Sequence, residues 1–84
     1  MQNMTADDAK VAEMSFNVFE KILTSIDFKT KEELIDLANI MVKKVESGDY
    51  PEIVKLAYAD ARKKIEILTL DQLNEIKSIV LMDD

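Results

Sequence analysis

The sequence lacks the two residue types on which most small active sites depend. Of its 84 residues, none is cysteine and none is histidine. Without them the chain can form no disulfide, no thiol nucleophile, no Ser-His or Cys-His catalytic pair and no ordinary zinc site. We therefore expect no catalytic residue, no metal and no cofactor.

Glycine and proline are almost absent, with one residue of each, Gly48 and Pro51. A single glycine excludes a glycine-rich phosphate-binding loop. Hydrophobic residues make up 48% of the chain, which is enough to bury a core. Because a second folding unit would leave each half too small for a useful core, we expect residues 1–84 to form a single domain, with residues 1–4 disordered.

Long apolar runs are missing too. No stretch approaches the roughly 18 uninterrupted apolar residues of a membrane span. The start of the chain has neither the basic nor the apolar region of a secretion signal. The net charge of −6 opposes broad attraction to nucleic acid and to anionic lipid. These features predict a cytoplasmic protein that contacts neither membrane nor nucleic acid.

What the sequence does contain is hydrophobic residues at helical spacing. This pattern predicts an all-α protein, a small four-helix bundle with helices over residues 6–26, 31–47, 51–68 and 70–82. No glycine or proline separates the last two segments. The alternative is one continuous helix over residues 51–82, which is too long to be buried in a monomer and would suit a dimer.

Three of the predicted helix starts carry a capping signature, in which two side chains three positions apart bind free backbone amides. The pairs are Thr30 with Glu33, Asp49 with Glu52, and Thr69 with Gln72, and a looser pair is Thr5 with Asp8. For the third helix, the cap residue itself is either Asp49 or Tyr50. Gly48 is expected in the left-handed conformation that ends a helix, and Pro51 in the first turn of the next helix.

The first and fourth predicted helices have one apolar face each. In the first helix the predicted core residues are Val11, Ala12, Phe16, Val18, Phe19, Ile22, Leu23 and Ile26. In the fourth they are Leu73, Ile76, Ile79 and Val80. The short connection at residues 27–29 predicts that the first two helices are antiparallel neighbours, with Phe28 at the turn.

The third predicted helix has apolar residues on two sides. Its main stripe consists of Val54, Ala57, Tyr58, Ala61, Ile65 and Leu68. Its second stripe consists of Ile53, Leu56 and Ile67, with Asp60 and Lys64 between the stripes. On the second helix, Ile40 stands alone between charged residues. Because clustered apolar residues outside a main face mark partner surfaces, the predicted partner-binding residues, unless a neighbouring helix covers them, are Ile40, Ile53, Leu56 and Ile67.

Basic residues concentrate between positions 43 and 64, which carry six bases and four acids. The candidate anion-binding residues are Lys43, Lys44, Arg62 and Lys63. Their other interpretation is a solvated surface, because Arg62 can pair with Glu66 one turn later.

Together these features predict a non-enzymatic helical module that docks on another protein through an apolar helix surface, as an adaptor, regulator or inhibitor. The acidic charge favours a basic partner, and so short a chain gains stability by pairing, which favours a homodimer. Small inhibitors encoded by phages and mobile elements share this size and acidity, a comparison that rests on those two properties alone. The alternative is a binder of a nucleotide or other phosphorylated ligand through the Lys/Arg patch.

Overall fold

The computed structural model describes residues 6–82, with side chains described from Asp8 onward. It contains four α-helices, in chain order α1 (Ala6–Ser25), α2 (Lys31–Ser47), α3 (Glu52–Ile67) and α4 (Leu70–Met82). The predicted all-α four-helix bundle is confirmed, and every predicted helix end lies within one residue of the observed one. The predicted disorder of residues 1–4 and the capping role of Thr5 lie outside the described residues.

The starts of α2 and α4 are fixed by the predicted capping pairs. At α2, the Glu33 backbone N–H donates to the Thr30 hydroxyl at 3.4 Å, and the Thr30 N–H donates to the Glu33 carboxylate at 3.2 Å. At α4, the Gln72 N–H donates to the Thr69 hydroxyl at 3.2 Å, and the Thr69 N–H donates to the Gln72 side-chain oxygen at 2.9 Å. Each pair satisfies backbone amides that a helix start leaves free.

α3 and α4 are separate helices in the single chain, and the alternative of one continuous helix in a dimer stays a prediction. Leu68 has an extended backbone, with φ −80° and ψ 150°, between the two. The Thr69 hydroxyl then accepts from the amide three residues later. Such a side chain offers the backbone an alternative to the next helical turn. The break therefore needs neither glycine nor proline.

The prediction that Asp49 caps α3 is wrong. The N-cap position is Pro51, which makes no side-chain capping bond. Its carbonyl instead accepts from the amides of Val54 and Lys55, at 3.1 and 3.3 Å. A cap at Asp49 would place Tyr50 in the first helical position, and the residue before a proline is disfavoured in helical backbone. The helix therefore starts after the proline.

The prediction of a left-handed Gly48 is also wrong. Its backbone is extended, with φ −93° and ψ 177°, a conformation that any residue adopts. Glycine instead leaves room for a close approach, because a Cβ added here would lie 2.7 Å from the Tyr50 ring and 3.1 Å from the Lys44 carbonyl oxygen.

α3 is the central helix of the bundle. It packs along both α1 and α2, whereas α1 and α2 make only a small contact with each other and α4 lies mainly against α1. The small side chains of Ala57 and Ala61 on α3 are buried, which allows close packing of the neighbouring helices. The buried core consists of Phe19, Ile22, Leu23, Phe28, Leu34, Ala38, Ala61, Ile65 and Leu73.

α2 runs antiparallel to α3. Near its start, the Lys31 ammonium donates to the Glu66 carbonyl at 2.5 Å, and further along Arg62 donates to the Asn39 side chain. The end of α3 therefore lies beside the start of α2. Phe28 lies in the turn before α2, as predicted. Its side chain is 5% exposed and belongs to the core.

Most of the predicted core residues of α1 are buried or half-buried, namely Val11, Val18, Phe19, Ile22, Leu23 and Ile26, and the prediction is wrong for the other two. Ser15 is completely buried, whereas Phe16 is 50% exposed and Ala12 is also exposed. Adjacent helical residues are rotated by about 100° from each other. A serine that points into the bundle therefore turns the following phenylalanine outward.

On α4 the predicted core residues Leu73, Ile76 and Val80 are buried or half-buried, and the prediction is wrong for Ile79. Ile79 is 57% exposed, and Lys77 lies on the packed side instead. The Lys77 ammonium donates to the Ile26 carbonyl at 2.9 Å and lies 4.8 Å from the centre of the Phe28 ring. A cation is favourable there because it meets both the carbonyl end of α1 and an aromatic face.

We expect Thr69→Ala to lower the free energy of unfolding by about 1 kcal/mol, because the α4 amides lose their cap. Denaturant unfolding followed by circular dichroism measures this change. The matched control is Thr24→Ala, since Thr24 is exposed within α1 and its hydroxyl binds the Glu20 carbonyl at 3.0 Å. Alanine has the higher helix propensity, so the control should lose no stability. Equal losses in both variants would contradict the capping role.

Candidate functional site

The second apolar stripe of α3 runs along one side of the pair formed by α1 and α3. With Asp60 and Lys64 included, the residues of the stripe are spaced three or four positions apart, so they project from one side of the helix. We call this surface the α1/α3 face. It consists of Ile53, Leu56, Asp60, Lys64 and Ile67 of α3 with Val11, Ser15, Phe16 and Phe19 of α1.

An apolar pocket of about 280 Å³ occupies the end of the face nearest α4. Its wall is formed by Phe16, Phe19, Lys64, Ile67, Leu68 and Ile76. The rings of Phe16 and Phe19 are 6.4 Å apart and tilted by 37°. Ile67 is 70% exposed at the rim, and Lys64 lines the wall with its methylene chain while its ammonium turns to Asp60. We call this the Phe16 pocket.

A second pocket, of about 420 Å³, lies at the other end of the face. It is formed by Asp8, Lys10 and Val11 of α1 with Glu52, Ile53 and Leu56 of α3. Leu56 is 50% exposed, and Ile53 is half-buried. The second pocket joins the first residues of α1 to the first residues of α3, and the Phe16 pocket joins later residues of both helices. The two helices therefore run in the same direction.

The centre of the face is a hydrogen-bonded cluster of Ser15, Asp60 and Lys64. The buried Ser15 hydroxyl donates to the Asp60 carboxylate at 2.6 Å, and the Lys64 ammonium donates to the same carboxylate oxygen at 2.5 Å and to the Ser15 oxygen at 3.0 Å. These bonds, first from Lys64 and then from Ser15, hold the pKa of Asp60 below its ordinary value of 3.8. The cluster joins α1 to α3 and leaves no uncompensated charge within itself.

This cluster is not arranged for nucleophilic catalysis. A serine nucleophile needs a neighbouring base that takes its proton. Lys64 instead uses its ammonium protons to bind Ser15 and Asp60. The Asp60 carboxylate accepts a hydrogen bond from the Ser15 hydroxyl, but its lowered pKa makes it too weak a base to take the proton. Because Ser15 is fully buried, a substrate could not reach it without a rearrangement of α1. The geometry supports a packing role.

The predicted partner-binding residues divide between two surfaces. Ile53, Leu56 and Ile67 lie on the α1/α3 face, and of these Leu56 and Ile67 stay at least half exposed, while Ile53 is partly covered beside Val11. Neighbouring helices therefore cover Ile53 in part and leave Leu56 and Ile67 exposed. Ile40 is 60% exposed on α2 and lines neither pocket.

The candidate anion-binding residues do not converge on this face. Arg62 donates to the Glu66 carboxylate at 2.6 Å and also to Asn39, so its guanidinium is already paired. The other three, which are exposed and line neither pocket, are Lys43, Lys44 and Lys63. The pairing of Arg62 is typical of a solvated surface, and binding of a phosphorylated ligand stays a prediction.

Ser15 and Phe16 were missed by the sequence interpretation. Ser15 lies four residues before Phe19 and seven before Ile22, a spacing that places all three on one side of a helix. That spacing was a usable signal. The predicted apolar face includes Phe16 as a core residue and gives Ser15 no position, because hydrophobic periodicity considers only apolar residues.

No family model, curated protein or solved structure matches this chain. Within residues 6–82, no helix combines the length and apolar character that a membrane span requires. In the same part of the chain, no three acidic side chains are grouped so that they could hold a metal ion. The interpretation of the face therefore depends on its own geometry.

We expect Asp60→Asn to destabilise the protein at neutral pH and to have a smaller effect in acid. Since folding lowers the pKa of Asp60, the stability that its carboxylate contributes is fully present above the unfolded pKa, near 4, and is lost as the pH falls through the folded pKa. Thermal unfolding between about pH 2 and 7 measures the difference between variant and wild type. The control is Asp36→Asn at an exposed position of α2. A difference that is the same at every pH would rule out this role for the carboxylate.

Proposed function

We propose that this chain is a non-enzymatic helical module that binds another protein through the α1/α3 face, as an adaptor, regulator or inhibitor. The observation that carries the proposal is the exposure of three large apolar side chains beside the two pockets. Phe16 and Leu56 are each 50% exposed and Ile67 is 70% exposed. Large apolar side chains that cluster on a surface are typical of protein interaction sites.

The energy available from covering these side chains is sufficient for an anchor. Full burial of one Leu, Ile or Phe side chain contributes about 1.5 to 3 kcal/mol. Because Phe16, Leu56 and Ile67 are half or more exposed, a partner that covers all three gains roughly 4 kcal/mol before the costs of association. The remaining affinity comes from contacts around these anchors, as is usual for interfaces in which a few residues dominate.

The polar centre of the face is partly satisfied within the chain. Asp60, Lys64 and Ser15 bind one another, which lowers the cost of covering them, and a partner that offers a donor to the other Asp60 oxygen lowers it further. The net charge of −6 favours a partner with basic side chains around its apolar residues. An amphipathic helix laid along the face has this chemistry. A partner that also extends over α2 would reach Ile40.

The proposal is tested by removing the two most exposed apolar residues of α3. We expect the double variant Leu56→Ser, Ile67→Ser to lose at least tenfold in the amount of partner retained from an extract of the source cells, quantified by mass spectrometry. The reason is that a serine cannot fill the apolar contact. The changed positions are exposed, so the helical circular dichroism should remain that of the wild type.

The matched control is Leu81→Ser, Ile79→Ser, which changes the same residue types at exposed positions of α4, 52% and 57% exposed. The control should retain the partner as the wild type does. Retention by the face variant, or loss in the control alone, would contradict the proposal.

A further inference from the structure

The α1/α3 face is complementary to itself. Along α3 its exposed or partly exposed side chains occur in the order Leu56, Asp60, Lys64 and Ile67, that is, apolar, acidic, basic, apolar. Read backwards, the order is apolar, basic, acidic, apolar. A second copy laid across the face in the opposite direction therefore brings each charge opposite its counterpart and each apolar residue opposite an apolar one.

The two kinds of pairing require the same register. The midpoint between Asp60 and Lys64 is position 62, and the midpoint between Leu56 and Ile67 lies within one residue of it. A single two-fold axis that crosses α3 near this position satisfies both pairings at once, as an isologous interface demands. The stripe from Leu56 to Ile67 is about 16 Å of helix, or three turns.

The shapes agree with this register. The half-exposed Leu56 of one copy faces Ile67 of the other, and Ile67 is at the rim of the apolar Phe16 pocket of about 280 Å³. Symmetry repeats the contact, so that two leucines enter two pockets. On α1, the exposed residue one turn before Phe16 is Ala12, whose small side chain permits a close approach.

The charges at the centre of this face permit two copies to meet there. Two copies that each carry a net charge of −6 repel one another. They can meet where charge cancels locally, and here Lys64 compensates Asp60, while the exposed Lys63 at the edge of the stripe adds a positive charge that also acts on Asp60. We infer that two copies of this chain pair in antiparallel orientation through the α1/α3 face and thereby compete with the other protein for it, an inference that rests on the proposed role of the face as a protein-docking surface.

Charge exchange tests the inference with the full chain. Asp60→Lys places lysines at both central positions, and Lys64→Asp places aspartates at both. Each variant alone then repels its own copy, whereas an equal mixture restores two opposite-charge contacts across the axis. The measurement is molar mass by sedimentation equilibrium at about 100 µM protein and low salt, where surface charges are least screened.

We expect the wild type to have twice the chain mass of 9.6 kDa. Each charge variant should associate at least tenfold more weakly, and the mixture should recover the dimer. Circular dichroism checks the fold, because both changes also disturb the contacts with Ser15. Should either variant fail to fold, Leu56→Glu decides, since it should be monomeric while Ile79→Glu on α4 stays dimeric.

A wild type that is monomeric at this concentration overturns the inference, as does a dimer that survives Leu56→Glu or a charge mixture of folded variants that stays monomeric. The proposed function is unaffected by these results if the wild type retains another protein from the extract and the Leu56→Ser, Ile67→Ser variant does not. Conversely, a dimer with the expected charge exchange supports the inference even where no other protein is retained, in which case the binding module serves self-association alone.

Discussion

The hydrogen-bonded cluster of Ser15, Asp60 and Lys64 determines how α1 lies on α3. Ser15 must point into the bundle to reach the carboxylate, and this fixes the rotation of α1 about its own axis. Phe19 then enters the core, and Phe16 turns outward. The exposure of Phe16 on the α1/α3 face is thus a consequence of one buried hydroxyl.

The same cluster explains how α3 can serve as the central helix. A helix that contacts neighbours on two sides has little room for charge, and a charge near a packed surface is costly unless it is paired. Asp60 and Lys64 pair with each other at 2.5 Å and both bind Ser15. The contact between α1 and α3 can therefore carry two charges without leaving either one unpaired. Asp60 and Lys64 thus connect the apolar residues at the two ends of the α1/α3 face.

Local signals predicted most of the fold. Helix positions followed from hydrophobic spacing, and two helix starts followed from Thr30 and Thr69, because a capping pair involves residues only three positions apart. The same reasoning failed at Asp49, where the neighbouring proline restricts the residue before it. A spacing rule that ignores the residues in between therefore misplaces a cap.

The inward position of two polar residues on the outer helices α1 and α4 could not be predicted in this way. Ser15 and Lys77 both lie on packed sides because their partners come from distant parts of the chain, Asp60 for the serine and the Ile26 carbonyl for the lysine. Hydrophobic periodicity treats every polar residue as outward-facing. For the candidate site, the second stripe of Ile53, Leu56 and Ile67 was predictable from spacing, whereas the contribution of Phe16 depended on the unseen bond of Ser15.

The break between α3 and α4 has a consequence for how copies of this chain could exchange parts. It depends on a hydroxyl and an amide, Thr69 and Gln72, rather than on a residue that cannot be helical. The Leu68 hinge is short, and α4 lies mainly against α1. If the cap opened, the segment could straighten and seat its last helix on the α1 of another molecule, which is the geometry of domain swapping. Opening of the Thr69 cap is therefore the step that any such exchange requires.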